Sequence, residues 1–158
     1  MKILSIDPGY ERIGIAILEK AKGGKEQVIF SECFKTSKDL PFEDRLCLIG
    51  ARVEECIMKH VPSGLSIENL FMSNNQKTVM RVAEVRGAII YLARKHGLLI
   101  KEYTPLQIKL AVTGDGKSSK DQMMRMVRML VKNVDIKAID DEYDAIAAGL
   151  AFFAYERF

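Results

Sequence analysis

Three strand-like runs lie within the first 34 residues, so close together that only short turns can connect them. They span Lys2–Ile6, Ile13–Leu18 and Gln27–Phe34, and the first is followed at once by Asp7-Pro8-Gly9, whose Pro-Gly pair is typical of a tight turn. Strands joined by short turns pair antiparallel, whereas a parallel pair needs a crossover of a dozen or more residues. The chain is therefore expected to open with an antiparallel meander of three strands.

Helical and strand-like segments alternate through the rest of the chain. The spacing of apolar residues predicts, in order, a helix over Pro41–His60, a strand over Leu65–Ile67, a helix over Lys77–Lys95, a strand over Leu98–Ile100, and helices over Pro105–Val112, Asp121–Val131 and Asp141–Tyr155. Strands that come first and then alternate with helices indicate an α/β fold with a mixed five-stranded sheet flanked by helices. The length of 158 residues and a hydrophobic content of 48% suit one domain over residues 1–158.

Several classes of protein are excluded by simple features of the chain. No apolar run approaches the roughly 20 residues that a membrane span needs, and an aspartate and a turn interrupt the first apolar run too early for a signal peptide. Cys33, Cys47 and Cys56 are odd in number and lack CxxC spacing, which predicts reduced, mostly buried thiols. His60 and His96 stand alone, so no zinc site is expected. These features predict a cytoplasmic protein with no membrane partner.

The charge is weakly basic overall but is unevenly distributed. The formal net charge is +3, and the stretch Lys101–Lys137 contains eight basic residues against four acidic ones. A basic region beside a separate acidic cluster is typical of an enzyme that holds phosphates and coordinates metal. A solvated helical face explains the same charges, and charge alone favours that interpretation.

Four carboxylates stand where they can converge from three separate segments. Asp7 ends the first strand, Glu68 follows Leu65–Ile67, and Asp141 and Asp144 are three residues apart, so that they project from one helix face. Such a cluster repels itself unless cations neutralise it, and hard oxygen ligands select Mg²⁺ or Mn²⁺. Two ions about 4 Å apart can support phosphodiester hydrolysis.

Each acid also has a simpler explanation. Asp7 can cap the Pro8-Gly9 turn, and Asp140 or Asp141 can cap the last helix. Asp140 lies four residues before Asp144 and reaches the same face, so the sequence leaves a choice of register within this run.

Several motifs together resemble the RuvC family of Holliday junction resolvases. They are Ile6-Asp7-Pro8-Gly9 with Gly14, Glu68-Asn69-Leu70-Phe71, Arg86-Gly87, Tyr103-Thr104-Pro105, Lys109, Thr113-Gly114, Lys120, and Asp141 with Asp144-Ala145. They occur in order over nearly the whole chain, and the second motif and the Tyr-Thr-Pro segment are the most specific. The resemblance implies a ribonuclease H-like fold. Leu110 departs from the pattern, because a basic residue often stands there in the family.

The resemblance also implies a function. RuvC-like proteins are homodimers that cut four-way junction DNA at two symmetric positions in recombination and repair, and they are expected to work with branch-migration proteins of the RuvA and RuvB type. By this analogy the metal ligands are Asp7, Glu68, Asp141 and Asp144. The family's spacing of three favours Asp141 over Asp140. Lys109 and Lys120 match lysines that serve the active site, and the helix Lys77–Lys95 is expected to supply part of the dimer interface.

Further residues are expected to contact DNA. Phe71 resembles an aromatic that the family places near the junction's crossover point, where it can stack on an unpaired base; a core phenylalanine is the alternative. Asn74 lies in the polar loop that follows and can contact backbone or bases. Lys117 joins Lys109 and Lys120 as a predicted phosphate contact, with an ordinary surface lysine as the alternative for each.

Three other functions compete with this interpretation. A YqgF-like nuclease shares the opening motif and acts on RNA, but the Glu68 motif with Phe71 and the lysine-bearing loop after Thr113 count against it. A non-catalytic branched-DNA binding module is disfavoured because all four acidic positions carry carboxylates. Nucleases of the CRISPR or transposon type with a RuvC-like domain are generally much longer chains.

Overall fold

The computed structural model describes residues 1–70, 76–135 and 137–156. Its strands are β1 (Lys2–Asp7), β2 (Arg12–Glu19), β3 (Gln27–Lys35), β4 (Gly64–Glu68) and β5 (Leu99–Tyr103). Its helices are α1 (Phe42–His60), α2 (Gln76–Lys95), α3 (Pro105–Thr113), α4 (Lys120–Leu130) and α5 (Asp140–Tyr155). Every predicted element is present, and no bound differs from the predicted one by more than three residues.

The strands form one mixed sheet in the order β3-β2-β1-β4-β5. β1, β2 and β3 pair antiparallel, which confirms the meander. β4 and β5 extend the sheet parallel to β1, because helical crossovers return the chain to the same end of the sheet. The predicted mixed five-stranded sheet flanked by helices is therefore confirmed.

The two faces of the sheet are covered by different helices. Along β1, Ile3 points to the face covered by α5, whereas Leu4 and Ile6 point to the face covered by α1 and α2. Side chains alternate along a strand, so Ser5 shares the α5 face with Ile3. Strands that are buried on both faces read as continuous apolar runs, which is the pattern of β1 and β2.

Helix α5 lies unusually close to the sheet because glycines leave room for it. A Cβ atom at Gly64 would stand 2.8 Å from Cζ of Phe152, and one at Gly149 would stand 2.9 Å from Cδ1 of Leu18. The buried Ser66 hydroxyl donates a hydrogen bond of 2.6 Å to the carbonyl oxygen of Ala148. This contact fixes α5 along its axis relative to β4.

Two boundaries have a clear physical reason for differing from the prediction. Strand β5 runs on to Tyr103 rather than ending at Ile100, because it pairs with β4 as far as Glu68 and forms the edge of the sheet, where polar side chains are tolerated. Helix α4 begins one residue early because the Ser119 side chain accepts from the backbone N–H of Gln122 and caps the helix.

The prediction of mostly buried cysteines is wrong. All three are free, as expected, but Cys47 is exposed and Cys33 is half-buried, and only Cys56 is buried. Cys47 lies on the outer side of α1, where helical periodicity places it away from the sheet. Among the described residues no helix is long and apolar enough to cross a membrane.

Candidate active site

Asp7 and Glu68 lie side by side at the carboxyl ends of two parallel strands. Ser5 on β1 and Ser66 on β4 are paired in the register, and Asp7 and Glu68 each follow two residues later. Because side chains repeat every two residues along a strand, both carboxylates point to the same face as the serines, which is the face covered by α5.

The first turn of α5 brings two further carboxylates to this edge of the sheet. Gly14 is paired with Asp7 across β1 and β2, and a Cβ atom at Gly14 would stand 1.9 Å from the carbonyl oxygen of Asp141. Only glycine therefore allows the start of α5 to reach the sheet beside Asp7. Asp144 follows one helical turn later and lines the same cleft as Glu68.

Neither Asp140 nor Asp141 caps α5. The helix begins after Ile139, whose backbone N–H donates a 3.3 Å hydrogen bond to Oε1 of Glu142. Glu142 is itself held by the Ser31 hydroxyl of β3 at 2.8 Å. The simpler explanation of this acidic run as a helix cap is therefore wrong.

Burial and repulsion between carboxylates raise the pKa of Asp7, Glu68 and Asp144. Burial, followed by repulsion from Asp144, Glu68 and Asp141, raises the pKa of Asp7 to about 7. Burial and repulsion from Asp144 raise the pKa of Glu68 to about 7. The pKa of Asp144 is also raised, chiefly by burial. Such mutual repulsion is the electrostatic property expected of a site that is completed by cations.

Asp141 and Asp140 have different surroundings. The Asp141 carboxylate contributes to the field at Asp7 and is half-buried. Asp140 is exposed and pairs with Lys120 at 3.1 Å. This geometry favours Asp141 as the functional carboxylate of the pair, and the assignment remains a prediction.

The donor set suits a hard divalent cation, but the side chains do not form a finished cage. Four carboxylates at one edge offer only oxygen ligands, which favour Mg²⁺ or Mn²⁺. Among the described residues, no three acidic, cysteine or histidine side chains stand close enough together to hold one ion. Asp144 is instead engaged by Lys120, with 3.3 Å between Oδ2 and Nζ.

Two of the three predicted lysines line the cleft. Lys120, in the first turn of α4, and Lys109, on α3, both border it together with Glu68 and Asp144. Helix α3 is anchored by Thr104, whose side chain accepts from the backbone N–H of Gln107 at 3.2 Å. Lys117 is exposed and does not line this cleft. Phe71 and Asn74 lie outside the described residues.

The sequence assigned no site role to four residues that lie at or beside the site. A guanidinium nitrogen of Arg12 stands 3.6 Å from Oδ2 of Asp141. The thiol of Cys33 donates a hydrogen bond to the same oxygen, with 3.7 Å between Sγ and Oδ2. Ser31 holds Glu142, and Arg86 donates to the backbone carbonyl of Glu68 at 3.1 Å. The alternation of Ser31 and Cys33 along β3 shows that they share one face of the sheet. It does not show which face carries the site.

Known proteins resemble the whole chain. A family model described as crossover junction endodeoxyribonuclease RuvC matches residues 3–152. RuvC of Brachyspira hyodysenteriae is 37% identical, covering 99% of this chain and 96% of that protein, and RuvC of Halothermothrix orenii is 39% identical, covering 95% and 90%. A structure of T. thermophilus RuvC in complex with Holliday junction substrate superposes with a TM-score of 0.91 at 27% identity, covering 98% of this chain and 94% of that one.

Proposed function

Because the chain belongs to the RuvC family of crossover junction endodeoxyribonucleases, we propose that it resolves four-way DNA junctions by paired symmetric nicks during recombination and repair. The observation that carries the proposal is the coupled set of carboxylates at one sheet edge, bordered by two lysines. The structural relative bound to a Holliday junction supports the choice of substrate.

Family membership implies dependence on a divalent metal, and we assign its binding to Asp7, Glu68, Asp141 and Asp144. Two Mg²⁺ ions, with Mn²⁺ as a substitute, would activate a water and stabilise the leaving oxygen. The protein's own carboxylates must first lose protons, because the pKa values of Asp7 and Glu68 lie near 7. The proposed products are a 5′-phosphate and a 3′-hydroxyl.

The lysines act on the phosphate. Lys109 and Lys120 border the cleft that contains Glu68 and Asp144, so a phosphodiester lying over the carboxylates would be within their reach. Their positive charge offsets the negative charge that develops on the phosphate oxygens as the bond breaks. Lys117, which is exposed on the same segment, is proposed to contact a phosphate outside the cleft.

Paired nicks need two active sites, and α2 offers a surface for a second copy. Met80 and Tyr91 are 65% and 67% exposed on this helix. Gly87 lies between them, with no atom within 4 Å of the position where its Cβ would stand. Met80, Gly87 and Tyr91 share this face with Glu84, and the missing side chain at Gly87 allows close approach of a symmetric partner helix. Sedimentation equilibrium should give a dimer that Gly87→Arg disrupts, whereas Met58→Arg on the exposed side of α1 should leave the dimer intact.

We propose branch-migration proteins of the RuvA and RuvB type as partners and the cytoplasm as the location. Pull-down with purified RuvA- and RuvB-type proteins on a four-way junction tests the partnership. Cell fractionation tests the cytoplasmic location.

The central experiment incubates the protein with a synthetic four-way junction, a linear duplex and a structured RNA, with and without Mg²⁺. Symmetric nicks in the junction alone are expected, and they should disappear on chelation or in Asp7→Asn. Asp141→Asn should abolish cleavage while Asp140→Asn retains it, which decides the register of the acidic run.

Two results would overturn the proposal. Cleavage of the RNA with the junction intact would identify a YqgF-like activity. Tight junction binding with no cleavage in any divalent metal would identify a binding module.

A further inference from the structure

The cleft over the carboxylates continues past Asp7, on the far side from Lys120. Glu68 borders both the lysine end of the cleft and its middle, and Asp7 borders both the middle and a further section. That further section is lined by Pro8, Gly9, Arg12 and Asp141, among others. A strand that follows the cleft would therefore leave the carboxylates beside Arg12.

A second positive residue stands directly across from Arg12. Arg12 on β2 and Lys35 on β3 are paired in the register, so their side chains project from the same face of the sheet. It is the face on which Cys33 reaches Asp141 at the start of α5. Arg12 is 57% exposed, and Lys35 is exposed as well.

Two like charges placed opposite each other on neighbouring strands destabilise a sheet unless something negative lies between them. Within the described part of the chain, Asp141 is the carboxylate within salt-bridge distance of this pair, 3.6 Å from Arg12. One carboxylate cannot neutralise two cations, and this one also faces the acidic cluster. Asp7 and Glu11 also line this section of the cleft, but among the described residues no carboxylate stands within salt-bridge distance of Lys35.

We propose that Arg12 and Lys35 form a second phosphate-binding site, which holds the DNA backbone on the side of the carboxylates opposite Lys109 and Lys120. This inference rests on the proposed function, and it adds a contact to the same DNA strand. Cations on both sides of the scissile phosphate fix the strand across the carboxylates. The Arg12 guanidinium, with its planar set of donors, suits a phosphate better than the single carboxylate oxygen that it now faces at 3.6 Å.

The alternative is that Arg12 acts only by orienting Asp141. The two roles predict different measurements, because a phosphate contact contributes to the salt dependence of DNA binding and an orienting residue does not. Each phosphate contact that is lost should lower the slope of log affinity against log salt by about 0.9.

The test measures binding of a synthetic four-way junction in Ca²⁺ between about 50 and about 200 mM salt, for the wild type, Arg12→Gln, Lys35→Gln and the double variant. Lys22→Gln with Lys59→Gln is the matched control, because both are exposed and lie at the other end of the sheet. Raising the salt over this range weakens binding of every protein. The fold loss of affinity should be about threefold smaller in each single variant than in the wild type, and about tenfold smaller in the double variant. The control should match the wild type, and Arg12→Lys and Lys35→Arg should keep the wild-type slope.

The outcomes separate this inference from the function on which it rests. If the wild type neither binds nor cuts the junction, the proposed function fails. If the wild type binds and the double variant keeps the slope of the control, the phosphate site is overturned. A loss of cleavage with unchanged salt dependence would make Arg12 a positioning residue for Asp141 instead.

Discussion

Lys120 on α4 and Asp144 on α5 form an ion pair across the cleft, with 3.3 Å between Nζ and Oδ2. Burial alone would lower the pKa of Lys120, but its bonds with Asp140 and Asp144 outweigh that effect and raise the pKa. The lysine is therefore fully protonated at neutral pH, and its charge stands over the carboxylates where a phosphate would lie.

Replacing Lys120 with glutamine should slow the chemical step more than it weakens binding. The loss of one preorganised positive group typically costs about 10²- to 10³-fold in rate. Single-turnover cleavage of a saturating junction measures the step. Lys117→Gln removes the same charge from the same segment outside the cleft, and its rate at saturation should stay within about threefold of wild type. Equal losses in the two variants would contradict a role for Lys120 in the chemistry.

Asp7→Asn should stabilise the metal-free protein. The folded-state pKa of Asp7 is raised from 3.8 to about 7, so the folded state binds more protons than the unfolded state between these values, and its stability falls as pH rises through that window. The asparagine variant escapes this loss. Each pKa unit corresponds to about 1.4 kcal/mol, so a gain of a few kcal/mol in the free energy of unfolding is expected at pH 8, and less at pH 5.

Urea unfolding in EDTA at the two pH values measures this gain. Glu11→Gln removes an exposed carboxylate near the same turn and should change stability by less than about 0.5 kcal/mol. Equal stability of Asp7→Asn and wild type at pH 8 would show that burial and the neighbouring carboxylates do not raise the pKa of Asp7.

The sequence was sufficient to locate the carboxylates, because each stands at an element boundary that local patterns reveal. Asp7 and Glu68 follow apolar strands, and Asp141 and Asp144 have helical spacing. For Asp7 and Glu68, convergence depends on the register between β1 and β4, which pairs Ser5 with Ser66. No local sequence pattern determines that register.

The contacts between elements could not be predicted from the sequence, because they also depend on how the elements pack. Cys33 and Arg12 reach Asp141 only because β2 and β3 extend past the start of α5. The prediction that Cys47 is buried rested on the usual burial of cysteine. Which face of α1 a residue occupies decides its exposure instead, and Cys47 lies on the exposed face.

Gly14→Ala should damage the site more than the fold. The new Cβ would stand 1.9 Å from the carbonyl oxygen of Asp141, so the first turn of α5 must move away from β2. Overpacking of this kind typically costs about 1–3 kcal/mol, and displacement of Asp141 should lower cleavage by a further 10- to 100-fold or so. Thermal unfolding and single-turnover cleavage measure the two effects.

Gly50→Ala provides the matched control. Its Cβ would stand 3.7 Å from Cδ1 of Leu92 on α2, which is an ordinary contact between the two helices. Alanine is the better helix former there, so stability should be unchanged or slightly raised and cleavage unaffected. Full activity in Gly14→Ala would show that α5 does not need its close approach to the sheet.

Arg86 should act as a positioning residue for Glu68. From α2, its guanidinium donates to the carbonyl oxygen of Glu68 at 3.1 Å and to Oδ1 of Asn69 at 3.2 Å, and it is anchored by an ion pair with Glu102 on β5. Removal of groups that orient catalytic ligands typically costs about 10- to 100-fold in activity, so Arg86→Ala should lower kcat by that factor and leave junction affinity nearly unchanged. Arg86→Lys should recover only part, because one ammonium cannot hold three oxygens in the fork geometry of arginine. Arg94→Ala, on the exposed last turn of the same helix, is the control and should keep both kcat and junction affinity. If Arg86 has a purely structural role, Arg86→Ala would instead lower the amount of folded enzyme, and kcat per active site would stay at the wild-type value.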